Sequence, residues 1–518
     1  RTETGLTPGP RVRRAQWPVH PDREKGAAID RLITLGQYGS ARAKGTLMRQ
    51  AFARQDQRLK RTSTREQAIP SNDRHQPKRV GRIAFAIRCP KSKNLSLRRS
   101  DSVSRSRNSV FGLVILLSLA GCADQEAPAV AQQAAPVVEV DFETQLQLQL
   151  LQAKPGDIIE IPAGTYSLYR GLSLSVDGVT IRGAGMDKTI LSFKEQVSGA
   201  EGLLVTANDF TIEDLAIEDA KGDALKINEA KNVIIRRVRT EWTNGPDTAN
   251  GAYGIYPVQT ENTLIDEVVA IGASDAGIYV GQSKNVVVRN SRAEYNVAGI
   301  EIENTLDADV FDNVAINNTG GILVFNMPNL SQEGARTRIF RNLVHNNNTE
   351  NFAAPGGAVA GVPAGSGIVI NANDEVEIFE NDLAGNDTAH IIISSVFSTN
   401  YASRETASAF DPYPETLYIH DNRYEGGGAS PDTLELKALK LAMFGLTGAF
   451  PNVIWDGFLN PEKAVDGKLP PALNFCIAGE PGTQLLNVDG PGGYANPAIE
   501  QSQFQCRHEP LPPVQLSI

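Results

Sequence analysis

The feature that most constrains the fold of this 518-residue chain is a repeat in its central part. Gly-Ile dipeptides recur at intervals of 23, 22, 22 and 46 residues, and a His-Ile pair follows after a further 23. Their positions are Gly254-Ile255, Gly277-Ile278, Gly299-Ile300, Gly321-Ile322, Gly367-Ile368 and His390-Ile391. A fixed period of this length is typical of a solenoid, in which each turn buries its apolar side against its neighbours.

The apolar runs inside each repeat predict strands rather than helices. They are short, alternate with a period of two and are interrupted by Gly and Asn, as in Asn285-Val286-Val287-Val288 and Thr337-Arg338-Ile339-Phe340. Three short strands would use up one repeat. The sequence therefore predicts an all-β chain, a single-stranded parallel β-helix over residues 141–425.

Three columns of residues test this prediction. Stacked strands lie about 4.8 Å apart, so side chains at equivalent positions can bond along the stack. The first column is Asn290, Asn313, Asn342, Asn381 and Asn422, and the second is Asp275, Asn296, Asn318 and Asp387. The third mostly alternates in sign and predicts an outer ion-pair ladder: Arg236, Asp266, Arg289, Asp312, Arg341, Glu380 and Asp421.

Three stretches resemble a known family: GASDAGIYVGQS (272–283), NVAGIEIEN (296–304) and TGGILVFN (319–326). They are similar to bacterial parallel β-helix repeat proteins with lipoprotein signals, within the right-handed, pectin-lyase-like superfamily. The resemblance implies a right-handed β-helix and an exported location, and it implies no established activity.

The charge is divided unevenly along the chain. Residues 1–121 hold 26 Lys+Arg and 8 Asp+Glu, a formal charge of +18, so residues 122–518 hold the remaining 24 and 52, a charge of −28. A basic nucleic-acid-binding arm is one interpretation of residues 1–102. We favour upstream sequence that is disordered and absent from the mature protein, because an export signal follows, and we expect no nucleic-acid partner.

That signal is residues 103–121. Arg105 and Arg107 precede a ten-residue apolar run, Val110 to Leu119, which is too short to span a bilayer. The ending Leu119-Ala120-Gly121-Cys122 resembles a bacterial lipoprotein processing box, which implies cleavage before Cys122 and its lipidation. The residue after the cysteine is Ala123 and not Asp, which under the sorting pattern of such lipoproteins implies the outer membrane in a two-membrane cell. Residues 122–140 would then form an Ala/Gln/Pro-rich tether.

Both ends of the predicted solenoid carry helix signals. Leucines at helical spacing over residues 142–153 predict a capping helix that Lys154-Pro155-Gly156 ends. Ser430-Pro431 predicts the start of a second helix over 431–444, in an otherwise irregular C-terminal region, 426–518. That region contains Cys476 and Cys506, and an even pair in an oxidising compartment predicts a disulfide.

Four longer segments interrupt the repeat and predict inserted loops. Residues 240–253 and 345–366 precede the Gly-Ile strand, and residues 325–335 and 395–415 follow it. Insertions on both sides of one column of strands would wall a groove, as on the binding faces of other solenoids.

Strand alternation predicts the residues on the floor of that groove. They are Tyr256, Tyr279, Glu301, Leu323, Val369 and Ile392. Tyr256, Tyr279 and Trp242 suit the stacking of a sugar ring, and Glu301 could bind hydroxyls. Glu301, His390 and Asp275 are the candidate catalytic groups. The alternatives are packing beneath the loops for Tyr256 and Tyr279, a solvated surface charge for Glu301, a capped surface residue for His390 and a place in the turn ladder for Asp275.

The same residues weigh against several chemistries. The predicted floor offers no Lys or Arg to neutralise a uronate, and the acidic chain would repel a polyanion unless Ca²⁺ bridged the charges. Glu301 and Glu303 with Asp275 could form the carboxyl pair of a hydrolase. The four histidines after Cys122 are scattered, so no metal site is predicted, although Ca²⁺ remains possible.

Three functions therefore stay open. The first is a lipid-anchored envelope protein that binds a polysaccharide or an envelope protein along the groove, which we favour because a spacer needs no insertions. The second is a polysaccharide lyase, epimerase or hydrolase. The third is a structural envelope spacer.

Overall fold

The computed structural model of the protein describes residues 141–399, 410–478, 483–500 and 502–518. The predicted extension, signal, lipidated Cys122 and tether lie outside these residues. Within them the chain winds as a parallel β-helix, and its strands form three faces. The predicted all-β solenoid is confirmed.

Face 1 is a twelve-stranded sheet. Its strands are β3 (Arg170–Leu174), β6 (Ser198–Val205), β8 (Leu225–Asn228), β10 (Tyr253–Val258), β13 (Ala276–Gly281), β16 (Ala298–Glu303), β19 (Gly320–Phe325), β22 (Ser366–Asn371), β25 (Ala389–Ser394), β28 (Val453–Trp455), β30 (Leu485–Asn487) and β31 (Ala498–Glu500). All of its pairs are parallel except β30 with β31.

Faces 2 and 3 share the two long strands β7 (Phe210–Glu218) and β9 (Lys231–Glu241), which run through both. Face 2 adds β1 (Ile158–Glu160), β4 (Thr180–Arg182), β11 (Glu261–Asp266), β14 (Lys284–Arg289), β17 (Leu306–Phe311), β20 (Ala335–Phe340), β23 (Asp374–Phe379), β26 (Leu417–His420) and β29 (Cys476–Ala478). Face 3 adds β2 (Gly164–Ser167), β5 (Thr189–Ser192), β12 (Val269–Ile271), β15 (Arg292–Glu294), β18 (Val314–Ile316), β21 (Leu343–His345), β24 (Asp382–Ala384) and β27 (Arg423–Glu425).

The isoleucine of each Gly-Ile pair points into the coil and stacks on the next. Ile278, Ile300, Ile322, Ile368 and Ile391 are paired in register and fully buried. Burying a side chain of this size contributes roughly 1.5–3 kcal/mol. This column, continued by the valines and isoleucines of faces 2 and 3, forms the core.

Helix α1 (Phe142–Gln152) covers the open end of the first coil as predicted, with Leu146 and Leu150 buried against the core. Helix α2 (Leu434–Phe444) begins three residues later than predicted, because Thr433 rather than Ser430 caps it and accepts a bond from the Leu436 N–H. Neither helix, nor any other in the described ranges, is long and apolar enough to cross a membrane.

Strands continue beyond the predicted end of the solenoid at residue 425. Strands β28 and β30 extend face 1, and β29 extends face 2 by pairing with β26. The predicted disulfide between Cys476 and Cys506 is confirmed, and it ties β29 to the end of the chain. The C-terminal region therefore continues the β-helix in part and is not only an irregular tail.

Two asparagine ladders run inside the coils, with corrections to the predicted membership. Asn313, Asn342, Asn381 and Asn422 form the first, each donating backbone and side-chain N–H groups to the next Oδ1 at 2.9–3.1 Å. Asn290 is not a member: it is exposed and bonds to Asp266, while Ser291 takes the ladder position. The second ladder contains Asn347 and Asn386 with Asn296 and Asn318, in place of Asp275 and Asp387.

The predicted sign-alternating column is two adjacent columns. Arg236, Asp266 and Arg289 align with the aromatic residues Phe311, Phe340 and Phe379 and with His420. Asp312, Arg341, Glu380 and Asp421 belong to the neighbouring column, where each residue has a positive φ at the corner between faces 2 and 3. Ion pairs do form in both, as between Arg289 and Asp266 (2.9 Å) and between Arg341 and Asp312 (2.8 Å).

Candidate active site

The predicted floor lies on face 1 in the predicted register. Tyr279 pairs with Glu301, and the column continues through Leu323, Val369 and Ile392. The four predicted insertions are also confirmed as the long connections that follow β9, β19, β21 and β25.

The insertions close over this floor instead of walling an open groove. Val359 and Val362 from the 345–366 insertion, Met327 and Val396 pack on the column as a second apolar cluster. Tyr279 is 4% exposed, Glu301 1% and Leu323 0%. The predicted continuous groove is therefore wrong over this part of the face, and Tyr279 is not free to stack on a ligand.

The covering segment, residues 351–362, is held in shape by one side chain. The Asn351 Nδ2 donates to the carbonyl oxygens of Val359 and Val362, both at 2.9 Å. Phe352 packs into the apolar cluster, and Gly357 lies against the carboxyl of Asp275. We call this segment the lid.

Three tyrosines form a compact group at the edge of the lid. Ring centroids are 4.4 Å apart for Tyr253 and Tyr256, 4.6 Å for Tyr253 and Tyr279, and 4.9 Å for Tyr256 and Tyr279. The Tyr279 ring lies over Gly281, where a Cβ would come within 2.4 Å of it, so only glycine fits there. Tyr253 and Tyr256 remain partly accessible and are the rings that a ligand can reach.

Two glutamates lie behind the tyrosines. The Tyr279 hydroxyl donates to Glu303 Oε1 at 2.6 Å, whereas Glu301 Oε2 has no hydrogen-bond partner among the described residues. Burial raises the pKa of both carboxyls, and for Glu301 the charges of Asp275 and Glu303 raise the pKa further. A buried carboxyl without a partner is costly in a purely structural role.

Tyr253 contacts two further carboxyls with its two ends. Its backbone N–H faces the carboxyl of Asp223 and its hydroxyl faces that of Asp275, and each group lowers the pKa of the carboxyl that it faces. Burial raises the pKa of Asp223 to about 6 and that of Asp275 to about 7, the latter with help from the nearby charges of Glu303 and Asp223. Both aspartates remain partly accessible.

The spacing of these aspartates follows from the coil geometry. Asp223 and Asp275 immediately precede Ala224 and Ala276, and the strand β10 lies between β8 and β13. Two strand spacings place their backbones about 10 Å apart. We call Asp223, Tyr253, Tyr256 and Asp275 the tyrosine site.

Lys226 is the basic residue beside this site. Its Nζ lies 3.5 Å from Asp223, 3.7 Å from Glu201 and 4.9 Å from the centre of the Tyr256 ring. The ammonium lowers the pKa of Asp223 and thereby separates it from that of Asp275.

Two predicted site residues lie elsewhere. Trp242 is buried in the main core, where its Nε1 donates to the Ala220 carbonyl, because the 240–253 connection turns inward at its start. His390 is 1% exposed and bonds to Asn386 and to the Gly426 carbonyl at the end of the second ladder. Burial lowers its pKa. Neither residue is placed to contact a ligand.

The sequence prediction included Tyr256 and Asp275 but missed Asp223, Lys226 and Tyr253. Asp223 lies two residues before Leu225, and Tyr253 lies two residues before Ile255, the strand partner of Leu225. Asp275 lies one residue before Ala276, the strand partner of Tyr253. The coil of Asp223 lacks the Gly-Ile pair, so the repeat in the sequence does not reveal this alignment.

Beyond the part that the lid covers, the predicted floor becomes accessible again further along the face. A cleft of about 240 Å³ lies beside Val369 and Ile392, between the lid, α2 and the 488–494 segment. Its walls are mainly apolar and include Leu436 and Ile454. Among the described residues, the one group with three metal-ligand atoms within 4.8 Å of one another lies elsewhere, at Asp374, Asp411 and Glu415.

Comparison with known proteins agrees with this architecture. A family model described as the right handed beta helix region matches residues 173–331 and 248–407. The described residues therefore form a right-handed parallel β-helix, the architecture that this model describes. No curated protein sequence matches it.

Several solved structures are similar to part of this chain. The A-module of the mannuronan C-5 epimerase AlgE4 of Azotobacter vinelandii is 17% identical, over 61% of this chain and 88% of its own, with a TM-score of 0.40. A DFA-IIIase from Arthrobacter chlorophenolicus A6 is 9% identical, over 60% and 86%, with a TM-score of 0.40. An alginate lyase from Paenibacillus sp. str. FPU-7 is 16% identical, over 55% and 96%, with a TM-score of 0.29. At these values, neither the substrates nor the chemistry of those enzymes transfer to this chain.

Proposed function

We propose that the protein is a carbohydrate-active hydrolase that binds a neutral glycan at the tyrosine site. The observation that carries the proposal is the pair of carboxyls at the two ends of Tyr253, with pKa values raised to about 6 and about 7. Two carboxyls with separated pKa values supply the acid and the base of glycosidic bond hydrolysis.

The roles follow from the protonation states. Burial raises the pKa of Asp275 more than that of Asp223, whose pKa the neighbouring Lys226 lowers, so we assign Asp275 as the acid and Asp223 as the base. Asp275 donates its proton to the glycosidic oxygen as the bond from that oxygen to the anomeric carbon breaks. Asp223 takes a proton from the water whose oxygen forms the new bond to that carbon. Proton exchange with solvent then restores both groups.

The surroundings favour an uncharged substrate. Asp223, Asp275, Glu201, Glu301 and Glu303 lie in or behind the site. Residues 122–518 carry a formal charge of −28, as counted above. A uronate would meet this negative potential with little compensation from Lys226. The accessible faces of Tyr253 and Tyr256 offer flat surfaces for a sugar ring.

The test is incubation of the protein with a panel of neutral and uronate polysaccharides, followed by analysis of both retention and products. We expect products from a neutral glycan, and a loss of turnover of about 10²–10⁴-fold in Asp275→Asn and Asp223→Asn with binding kept. Asp312→Asn, which removes an acid on another face, is the matched control. Retention without products would show that the protein binds the glycan and does not hydrolyse it. If no polysaccharide is retained and no product forms, the structural spacer becomes the favoured function.

The pH dependence gives a second check on the acid. Activity should be bell-shaped, with limbs near pH 6 and 7. The hydroxyl bond from Tyr253 lowers the pKa of Asp275, so Tyr253→Phe should move the alkaline limb upward. An unmoved alkaline limb would contradict the role of Asp275.

We further propose that the protein acts in the bacterial cell envelope, anchored through lipidated Cys122 to the outer membrane. The support is the sequence of residues 103–122 together with the acidic charge of the chain that follows.

A further inference from the structure

A second acidic cluster lies where the chain passes from face 1 to face 2. Asp374 begins β23, and Asp411 and Glu415 belong to the chain that leads into β26. One carboxylate oxygen from each lies within 4.8 Å of the others. The Glu415 N–H donates to Asp374 Oδ1 at 2.9 Å, which fixes these two elements to each other.

One ammonium group balances this cluster. Lys463 Nζ lies 2.8 Å from Asp411 Oδ2 and 2.7 Å from Glu415 Oε2. A fourth carboxyl, that of Glu333, faces the Asp411 backbone N–H. Four acids therefore share one base. The Lys463 side chain is 38% exposed, so it can turn into solvent without disturbing the packing.

Glu415 gives an independent indication of a missing partner. The residue is 1% exposed, and its Oε1 atom is buried with no hydrogen-bond partner among the described residues. A buried carboxylate oxygen normally has a donor or a cation beside it, because leaving it unpaired is costly.

We propose that Asp374, Asp411 and Glu415 form a binding site for a divalent cation of the size of Ca²⁺, with Lys463 as its displaceable counter-ion. Ca²⁺ binds oxygen atoms at about 2.3–2.6 Å, so two oxygens on one ion are at most about 5 Å apart. The ligand atoms of the cluster meet this limit. Water and the second carboxylate oxygens complete the six to eight ligands that Ca²⁺ takes.

The cation would connect the start of β23 to the chain that leads into β26.

The experiment is a Ca²⁺ titration of the chelator-treated protein, followed by calorimetry and by the melting temperature. We expect saturable binding and a rise in Tm. Lys463→Met should bind Ca²⁺ more tightly because the competing charge is removed. Glu415→Gln should weaken binding by about 10- to 100-fold or more, and Asp411→Asn, at a more accessible ligand, provides the same test if the first variant does not fold.

Asp312→Asn is the matched control and should keep the response of the parent protein. A response to Mg²⁺ equal to that to Ca²⁺ would contradict the proposed size of the site. Absence of Ca²⁺ binding in both the parent and Lys463→Met would overturn the proposal, and so would binding that survives both ligand variants.

Discussion

Each asparagine inside the coils serves groups on three levels of the stack. Asn313 Oδ1 accepts the Ser291 N–H, and its Nδ2 donates to the Val288 carbonyl and to Asn342 Oδ1. An apolar residue at this position would leave buried backbone groups unpaired in the preceding coil. The asparagine ladder therefore allows the chain to bend at each corner without leaving buried polar groups unpaired.

Asn313→Ala should lower the free energy of unfolding by about 2–6 kcal/mol, because two buried groups lose partners at about 1–3 kcal/mol each. Asn422→Ala should have a similar effect, because Asn422 accepts two bonds from Asn381 and its coil is covered by β29. Denaturant unfolding measures both changes.

The control for this prediction is Asn290→Gly. Asn290 is exposed with φ of 51°, so glycine removes the amide without backbone strain. A loss in the control equal to that in Asn313→Ala would show that the ladder is not the cause.

Strands and insertions were predictable because the period alone locates them. The register across coils was harder to predict. Lys284 pairs with Leu306, 22 residues on, whereas the predicted step from Asn290 to Asn313 is 23 residues. This difference of one residue places Asn290 outside the ladder, and it explains why two adjacent charged columns were predicted as one. The path of an insertion is not encoded in the period, so the burial of Tyr279 and Glu301 under the lid could not be predicted from alternation.

The disulfide stabilises the last face-2 strand. Cys476 begins β29 and Cys506 lies 30 residues on, so opening the bridge frees a loop at a cost of roughly 3–4 kcal/mol. We expect Cys476→Ser with Cys506→Ser to melt earlier and to be cleaved more readily by protease after residue 506. Equal melting and protease resistance with and without reductant would contradict this prediction.

At the scale of the whole molecule, the sequence separates a basic leading part from an acidic solenoid, and the predicted processing site lies at the change of sign. Intact-mass analysis of membrane-extracted protein should find diacylglyceryl-Cys122 as the first residue. Recovery of peptides from before Val103 in that material would show that the leading part is retained.

The end of the chain runs along the stack and not around it. The Leu511 N–H donates to Glu377 Oε2 on β23, and the Val514 N–H donates to Asp309 Oδ2 on β17. Pro513 and Leu516 lie beside Phe311 and Phe340 of the coils between. In a solenoid without such a segment, each turn contacts only its neighbours, so the turns can separate one by one under tension. Here the segment acts as a longitudinal tie across β17, β20 and β23, so a pulling force must detach it before these turns can part, and the middle of the molecule should be its stiffest section.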